Sequence, residues 1–380
     1  METASVLALT EQFAALEDPR VERTRLHPLL RIIGIAVCAV IAGAETWDEI
    51  AEFGTTQAAW FGRFLDLPNG IPAHDTFNRV FAALDPEQFR AGFLRWTTAV
   101  ANVLPAEVIA LDGKTLRHSH DRGAGKAAIH IVSAWAATNR LVLAQVKVAA
   151  KSNEITAIPE LLPTLALSGC IVTIDAMGCQ RTIAQQIVDQ AADYVLALKE
   201  NQGTLFADVI DTFAQYHKDL PASAAGSETS MTTETGHGRE EVRRHWVVSD
   251  PAILAWLQEV HHWPGLGAIG MVQAQRTLGG QTSTETRYYL LSRQLSAATF
   301  GAAVRSHWGI ENQVHWVLDL AFREDASRIR AGYAAENVAV LRHLALNLIR
   351  HTPRKQLRMK ARRLAAGWDH AYLLQILQGL

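Results

Sequence analysis

Short apolar runs alternate with helical segments between residues 105 and 200, and this alternation restricts the possible folds more than any other feature of the chain. Five runs have the length and β-branched content of strands, and two segments between the later runs have a helical pattern. In chain order they are strand, strand, strand, helix, strand, helix and strand, at 107–111, 129–136, 141–148, 154–165, 171–174, 180–190 and 194–198. Such an order predicts a mixed α/β sheet with helices on its faces.

Two of the predicted strands are followed directly by an aspartate. Asp112 follows the first strand and Asp175 follows the fourth, and Gly113 permits a turn or a close backbone approach beside Asp112. The carboxyl ends of strands are where α/β sheets build their sites. A strand-ending aspartate also commonly caps the turn that follows it, so a structural role stays open for each.

A third acidic residue lies on a predicted helix over residues 304–319. Polar residues recur there at every fourth position, along one flank of the helix: His307, Glu311, His315 and Asp319. Alone, this pattern is typical of the solvated face of an amphipathic helix.

Asp112, Asp175 and Glu311 together form a set of three hard oxygen ligands. Such a set suits one or two Mg²⁺ or Mn²⁺ ions, which favour carboxylate and water over imidazole or thiolate. Two ions can activate an attacking oxygen and stabilise the leaving oxygen in an in-line displacement at a phosphodiester. Basic residues near the three acids would neutralise substrate phosphates; the candidates are Lys114, Arg117, Lys199 and Arg305.

The segments that flank the predicted sheet differ from it in character. Helices are predicted at 29–42, from 47, from 75 with Asp75 as the N-cap, and from 86 after Asp85; strands are predicted at 241–248, 267–277 and 284–291, with a polar turn at 232–239. We therefore expect a helical N-terminal domain (1–104), a first core part (105–200), a β-rich insertion (201–292), a last core part with the Glu311 helix (293–350) and a basic helical tail (351–380). Residues 341–380 carry eight lysines and arginines against one aspartate, either as a solvated helical face or as a phosphate-contacting surface.

Composition narrows the class of protein. The net charge of −2 argues against coating nucleic acid by bulk attraction, although a local basic patch stays possible. Three cysteines without ligand-like spacing fit a reducing cytosol and support neither a disulfide framework nor a zinc knuckle. The longest apolar run, 29–42, contains Arg31 and is shorter than the roughly 20 residues of a membrane span, so we expect no membrane segment. The N-terminus lacks the basic region of a signal peptide.

The acidic motifs LDGKT (111–115), TIDAMGCQ (173–180) and HWGIEN (307–312) resemble those of DDE transposases from bacterial insertion sequences. The resemblance is closest to the ISAs-type branch, which includes the H-repeat-associated proteins of Rhs elements, and it runs from about Asp18 to Ile376. Further matching stretches are 70–77, 84–86, 151–155, 236–239 and 327–330.

This resemblance implies an RNase-H-like catalytic core with a β-rich insertion before the last acid. It implies that Asp112, Asp175 and Glu311 are the catalytic acids and hold Mg²⁺ or Mn²⁺, as two ions, without a small-molecule cofactor. The implied reaction is cleavage at the terminal inverted repeats of an element and joining to target DNA. The implied partner is double-stranded DNA, bound by a homodimer in the bacterial cytoplasm at the nucleoid.

Related transposases often place Tyr, Arg and Lys around the glutamate, at seven before, four before and seven after. Here those positions are Val304, His307 and Leu318, and we hypothesise that Arg305, His307 and His315 supply the phosphate contacts instead. In the stretch 236–239, Arg239 is a further candidate for DNA contact.

Three other functions stay open from the residues alone. A zinc hydrolase could use His307, Glu311 and His315 as ligands, although Asp112 and Asp175 would then have no role. A DNA-binding relic without catalysis and an RNase-H-like nuclease without strand transfer are the other two. The tryptophans expected in the core rather than on a base-stacking surface are Trp135, Trp246 and Trp308.

Overall fold

The computed structural model describes residues 9–120, 123, 125–149, 152–219, 226–236 and 238–378, apart from the side chains of 216–219. Its strands are β1 (Val108–Leu116), β2 (Ile129–Ala136), β3 (Leu141–Lys147), β4 (Ile171–Ile174), β5 (Asp193–Leu198), β6 (Ser227–Gly236), β7 (Arg239–Val248), β8 (Ala268–Leu278) and β9 (Gln281–Leu291). Within the described ranges they form one mixed sheet in the order β3-β2-β1-β4-β5-β9-β8-β7-β6. The expectation of a mixed α/β sheet is confirmed.

The helices precede, interrupt and follow this sheet. They are α1 (Leu29–Ile41), α2 (Trp47–Thr56), α3 (Ala58–Phe61), α4 (His74–Ala83), α5 (Pro86–Val100), α6 (Glu154–Leu161), α7 (Arg181–Asp189), α8 (Gly203–Asp219), α9 (Pro251–His261), α10 (Ala297–Ile310), α11 (Trp316–Ala321), α12 (Ala334–Arg350), α13 (Met359–Trp368) and α14 (His370–Gln378). The predicted helical N-terminal region is confirmed. Asp85 caps α5 by accepting from the Gln88 N–H, but Asp75 lies in the first turn of α4 and Ala73 is the N-cap.

The first five strands follow the predicted order of strands and helices. An antiparallel meander joins β1, β2 and β3, and β1 pairs in parallel with β4, which pairs in parallel with β5. The prediction that the first strand ends at Asp112 is wrong. Strand β1 continues to Leu116 because its far half pairs with β2, so the chain makes no turn at Gly113.

The strands of the predicted β-rich insertion extend the same sheet. Strand β9 pairs antiparallel with β5 and carries β8, β7 and β6 beyond it. Residues 232–236 belong to β6 rather than to a polar turn, and their side chains are exposed on both faces, which removes the apolar alternation that marks a strand. Helices α8 and α9 were not predicted from the sequence. Of the stretch 236–239, His237 lies outside the described residues.

Helix α12 is the centre of the hydrophobic core that the two ends of the chain share. Every residue from 334 to 349 is buried, and the helix packs against α1, α4, α5 and β3. A second cluster covers the opposite face of the sheet under α6 and α7. Among the described residues, no helix combines the length and the apolar character needed to cross a bilayer.

The basic C-terminal segment has a structural use that neither sequence interpretation anticipated. Arg362 and Arg363 are buried. Arg363 donates to the carbonyl oxygens of Val40 (2.8 Å) and Ala321, at the C-terminal ends of α1 and α11. Arg362 donates to the Ile349 carbonyl oxygen near the end of α12. These guanidinium groups satisfy helix carbonyls that lack an intrahelical partner.

Candidate active site

Asp112 and Asp175 lie side by side where two parallel strands stop pairing. The last paired residues of β1 and β4 are Leu111 and Ile174, and each aspartate is the next residue along its strand. Asp112 continues in the antiparallel ladder opposite Ser133. Because the parallel register is fixed by this pairing, the two carboxylates leave the sheet at the same edge.

Glu311 reaches the same region from a helix with an irregular turn. Helix α10 passes into a π-helical turn, Glu311–His315, before α11 begins. Such π turns often occur at functional sites. His315 Nδ1 lies 3.0 Å from Glu311 Oε2 and 3.4 Å from Asp112 Oδ2, so the imidazole joins the two carboxylates. One ligand atom each from Asp112, Glu311 and His315 falls within 4.8 Å of the others.

A cleft of about 380 Å³ holds these groups. Its lining includes all three predicted acids together with Lys199 and His307. The geometry therefore brings Asp112, Asp175 and Glu311 to one cavity. The zinc set is not assembled, because His307 Nδ1 bonds the Thr173 hydroxyl at 3.1 Å, and the described residues give no potential metal cluster that includes His307.

Burial raises the pKa values of both aspartates. It raises the pKa of Asp112 to about 6, with Glu154 and Asp175 acting in the same direction and His315 opposing them. Burial also raises the pKa of Asp175. The Asp175 Oδ1 accepts the N–H groups of Met177 (3.0 Å) and Gly178 (3.3 Å), so this aspartate caps its turn as well as facing the cleft. The hydrogen bond from His315 lowers the pKa of Glu311.

The donor set fits a divalent cation. Two partly buried carboxylates with raised pKa values repel further negative charge, and a bound cation would hold both ionised. Carboxylate oxygens from two strands and one helix are ligands that Mg²⁺ and Mn²⁺ accept, and Mn²⁺ also accepts imidazole. Asp112, Asp175 and Glu311 are the residues that would hold the ion, with His315 within reach.

The basic residues predicted near the site divide into two groups. The Lys114 side chain is 11% exposed and is bonded to Asp319 and Glu324, the latter at 2.8 Å, so its charge is neutralised by acidic partners and Asp319 gains a partner. Arg117 is exposed and lies 3.1 Å from Asp325. Lys199 is exposed at the rim of the cleft.

His307 and His315 are both held by neighbouring side chains. Burial lowers the pKa of His307 to about 4, so the ring is neutral near pH 7. His315 is buried between two carboxylates. Arg305, by contrast, is half exposed and pairs with Glu234 at 3.0 Å. It lines a second cleft of about 590 Å³ between α10 and strands β7, β8 and β9, as does Arg239.

Trp308 and Arg287 lie where the two clefts meet. Trp308 is 40% exposed, so its assignment to the core is wrong, whereas Trp135 is buried and Trp246 packs against the core. The Arg287 guanidinium sits 4.8 Å from the Trp308 ring centre, and both residues line both clefts. Arg287 was not predicted as a site residue, because the β5–β9 pairing that brings it to the cleft joins segments far apart in sequence and no local pattern indicates this pairing.

Comparison with known proteins agrees with this geometry. A family model described as DDE_Tnp_1-associated matches residues 10–97, and one described as Transposase DDE domain matches residues 104–348. "Putative transposase YncI" of Escherichia coli O157:H7 is 40% identical over 98% of this chain and 95% of its own length. "H repeat-associated putative transposase YhhI" of Escherichia coli (strain K12) is 38% identical over 98% of each chain. "Inactive transposase YbfQ" of the same strain is 40% identical over 19% of this chain and 86% of its own length.

The match to the DDE domain spans more than half of the chain and contains all three acids. It identifies the β3-β2-β1-β4-β5 part of the sheet as an RNase-H-like core, and it implies DNA binding and the use of a divalent metal. The recognition of this branch from its motifs is thereby confirmed: the chain belongs to the DDE transposase family.

Proposed function

We propose that this protein is an active transposase that binds the terminal inverted repeats of an insertion sequence, cleaves phosphodiester bonds at the element ends and joins the ends to target DNA. The observation that carries the proposal is the convergence of Asp112, Asp175 and Glu311 on one cleft. When bound, two Mg²⁺ or Mn²⁺ ions would activate the attacking oxygen and stabilise the leaving oxygen.

The residues of the chain position the reaction. A water oxygen attacks the phosphorus at the element end, the bond to the 3′ oxygen breaks, and a 3′-hydroxyl remains. That hydroxyl then attacks a target phosphorus, and the target's own 3′ oxygen leaves. Asp112 is held by strand pairing with β2, Asp175 by the N–H groups of Met177 and Gly178, and Glu311 by His315, so the acids keep their places in both steps.

The second cleft is the proposed path of the DNA backbone toward the acids. Its lining contains five arginines: Arg239, Arg243, Arg276, Arg287 and Arg305. Several of them pair with glutamates, which holds the guanidinium groups in place until phosphates compete for them. The cleft adjoins the acidic cleft at Arg287 and Trp308, so a strand lying in it would lead to the acids. A homodimer would bring two element ends together.

Cleavage of DNA that carries the flanking repeats, in Mg²⁺, tests the proposal. Asp175→Asn keeps an oxygen for the N–H groups of Met177 and Gly178 while removing the charge. Its matched control is Asp250→Asn, because Asp250 Oδ1 accepts in the same manner from Ala252 (2.8 Å) and Ile253 (3.2 Å) away from the cleft.

We expect loss of cleavage in the first variant and full cleavage in the second. Equal cleavage by wild type and Asp175→Asn would refute the catalytic assignment. Binding of the ends by wild type without nicking would favour the non-catalytic relic. Nicking without joined products would favour a nuclease.

A further inference from the structure

Glu154 is a buried carboxylate that the three acidic motifs do not include. It is the first residue of α6, and its side chain is 12% exposed. His130 Nε2 lies 2.8 Å from Glu154 Oε1, and His130 Nδ1 lies 2.8 Å from the Thr115 hydroxyl. Thr115 and His130 are paired residues of β1 and β2, so the sheet itself fixes the imidazole that holds Glu154.

Gly113 leaves the space that Glu154 and His130 occupy. A β-carbon at this position would collide with Glu154 Oε1 and with His130 Nε2. Of the two roles that the sequence allows for Gly113, a turn or a close approach, the structure shows the close approach. Because Gly113 directly follows Asp112, Glu154 is held against the backbone that carries the first acid.

The charge of Glu154 reaches both strand-end aspartates. After burial, which has the largest effect, the negative charge of Glu154 contributes to raising the pKa of Asp112 and of Asp175. Three carboxylates thus share one edge of the sheet. Concentrated negative charge of this kind is costly in a metal-free protein, and a bound cation offsets that cost.

We propose that Glu154 is a fourth acidic residue of the cation site, which adds negative charge beside Asp112 and Asp175 and strengthens the binding of a divalent cation. This inference rests on the proposed metal site of the transposase. His130 is the positioning residue that holds the Glu154 carboxylate, and Gly113 is the position that admits it.

Binding of Mn²⁺ to the full-length protein without DNA tests this inference directly. Titration followed by the electron paramagnetic resonance of free Mn²⁺ gives the dissociation constant. Glu154→Gln removes the charge and keeps an acceptor for His130, and we expect Mn²⁺ to bind it at least about tenfold more weakly, since groups around metal ligands typically contribute 10- to 100-fold. Glu154→Asp keeps the charge and is expected to bind Mn²⁺ more tightly than Glu154→Gln.

Asp208→Asn is the matched control, because Asp208 Oδ2 lies 2.7 Å from His261 Nε2 in a comparable pair outside the site. It should bind Mn²⁺ with wild-type affinity. Circular dichroism and thermal unfolding in EDTA establish that each variant is folded. If Glu154→Gln does not fold, His130→Gln takes its place, with a weaker loss of Mn²⁺ affinity expected.

Wild-type Mn²⁺ affinity in Glu154→Gln, together with loss of binding in Asp112→Asn, would overturn the role of Glu154 and leave the metal site intact. Unchanged Mn²⁺ binding in Asp112→Asn as well would instead overturn the metal site on which the proposed function depends.

Discussion

His315 Nδ1 lies 3.0 Å from Glu311 Oε2, one π-helical turn away along the same helix. The two residues are four positions apart, a spacing at which side chains on one helix face meet. His315 is almost fully buried, whereas Glu311 is 57% exposed, so a rigid imidazole restrains a carboxylate that would otherwise move in solvent.

Replacement of His315 should therefore slow catalysis more than it weakens DNA binding. We expect His315→Gln to lower the rate of end cleavage by about 10- to 100-fold, as for other groups that orient metal ligands. Gel-shift affinity for the same DNA should change little. The control is His261→Gln, because His261 is equally buried and also pairs with a carboxylate. Equal cleavage rates for the two variants would contradict the role of His315.

The raised pKa of Asp112 predicts how the stability of the metal-free protein depends on pH. The pKa is about 6 in the folded protein and near 4 in the unfolded chain, so the folded state binds the proton more tightly. This group therefore lowers the free energy of unfolding as pH rises through that window, by about 1 kcal/mol between pH 5 and pH 8. In EDTA, Asp112→Asn should lack this part of the pH dependence.

Chemical denaturation of the wild type and of Asp112→Asn at the two pH values measures this difference. Addition of Mg²⁺ at pH 8 should stabilise the wild type and leave the variant nearly unchanged. Identical pH dependence of the two proteins in EDTA would show that Asp112 is not the group responsible.

Lys114 should matter for stability rather than for phosphate binding. Its ammonium is bonded to Asp319 and to Glu324, whose side chain is 2% exposed. Removal of one partner from a buried ionic cluster commonly costs 3 to 5 kcal/mol, and Arg342, 3.8 Å from Glu324, remains to offset part of this. We expect Lys114→Met to lower the free energy of unfolding by about 3 kcal/mol.

Urea unfolding measures that loss. Arg117→Met is the comparison, because Arg117 is 79% exposed and its ion pair should contribute less than about 1 kcal/mol. A Lys114→Met protein of normal stability with weakened DNA binding would instead support the role that its sequence position suggested.

Arg305 has a near-identical counterpart away from the clefts. Arg305 is 50% exposed and lies 3.0 Å from Glu234, and Arg293 is 48% exposed and lies 3.1 Å from Asp193. Of these two arginines, Arg305 lines the second cleft and Arg293 does not. We expect Arg305→Gln to weaken DNA binding and to reduce the slope of log affinity against log salt by about 1, and Arg293→Gln to leave both unchanged. Full end binding and strand transfer by Arg305→Gln would remove it from the interface.

The order of the core elements could be predicted from the sequence because buried strands and amphipathic helices leave local patterns. Asp175 directly after an apolar run and Glu311 on a helix are visible in the chain itself. The end of β1 could not be predicted, because its last residues are held by pairing with β2 rather than by apolar content. Strand β6 could not be predicted either, because both of its faces are exposed and its sequence has no apolar alternation.

The contacts around the site were less accessible to sequence reasoning. Trp308 is a large apolar residue of the kind usually found in a core. Its exposed ring is covered by Arg287 of β9, and the position of β9 depends on its pairing with β5 across the sheet. Lys114 looked free because Asp319 and Glu324 lie more than 200 residues further along the chain. The pairing of His130 with Glu154 depends on how β2 and α6 pack, and nothing local to either residue indicates it.

Arg363 links the first part of the chain to be synthesised to one of the last. Its guanidinium satisfies the end of α1, among the first helices to leave the ribosome, yet α13 is among the last segments to be made. The Val40 carbonyl oxygen already accepts from the Gly43 N–H at 3.3 Å, but the contact that ties the end of α1 to α13 forms only after most of the chain has been made. A product of premature termination that stops before residue 363 would keep the DDE motifs and lack this closure, and we expect it to be cleared by proteases rather than to compete for element ends.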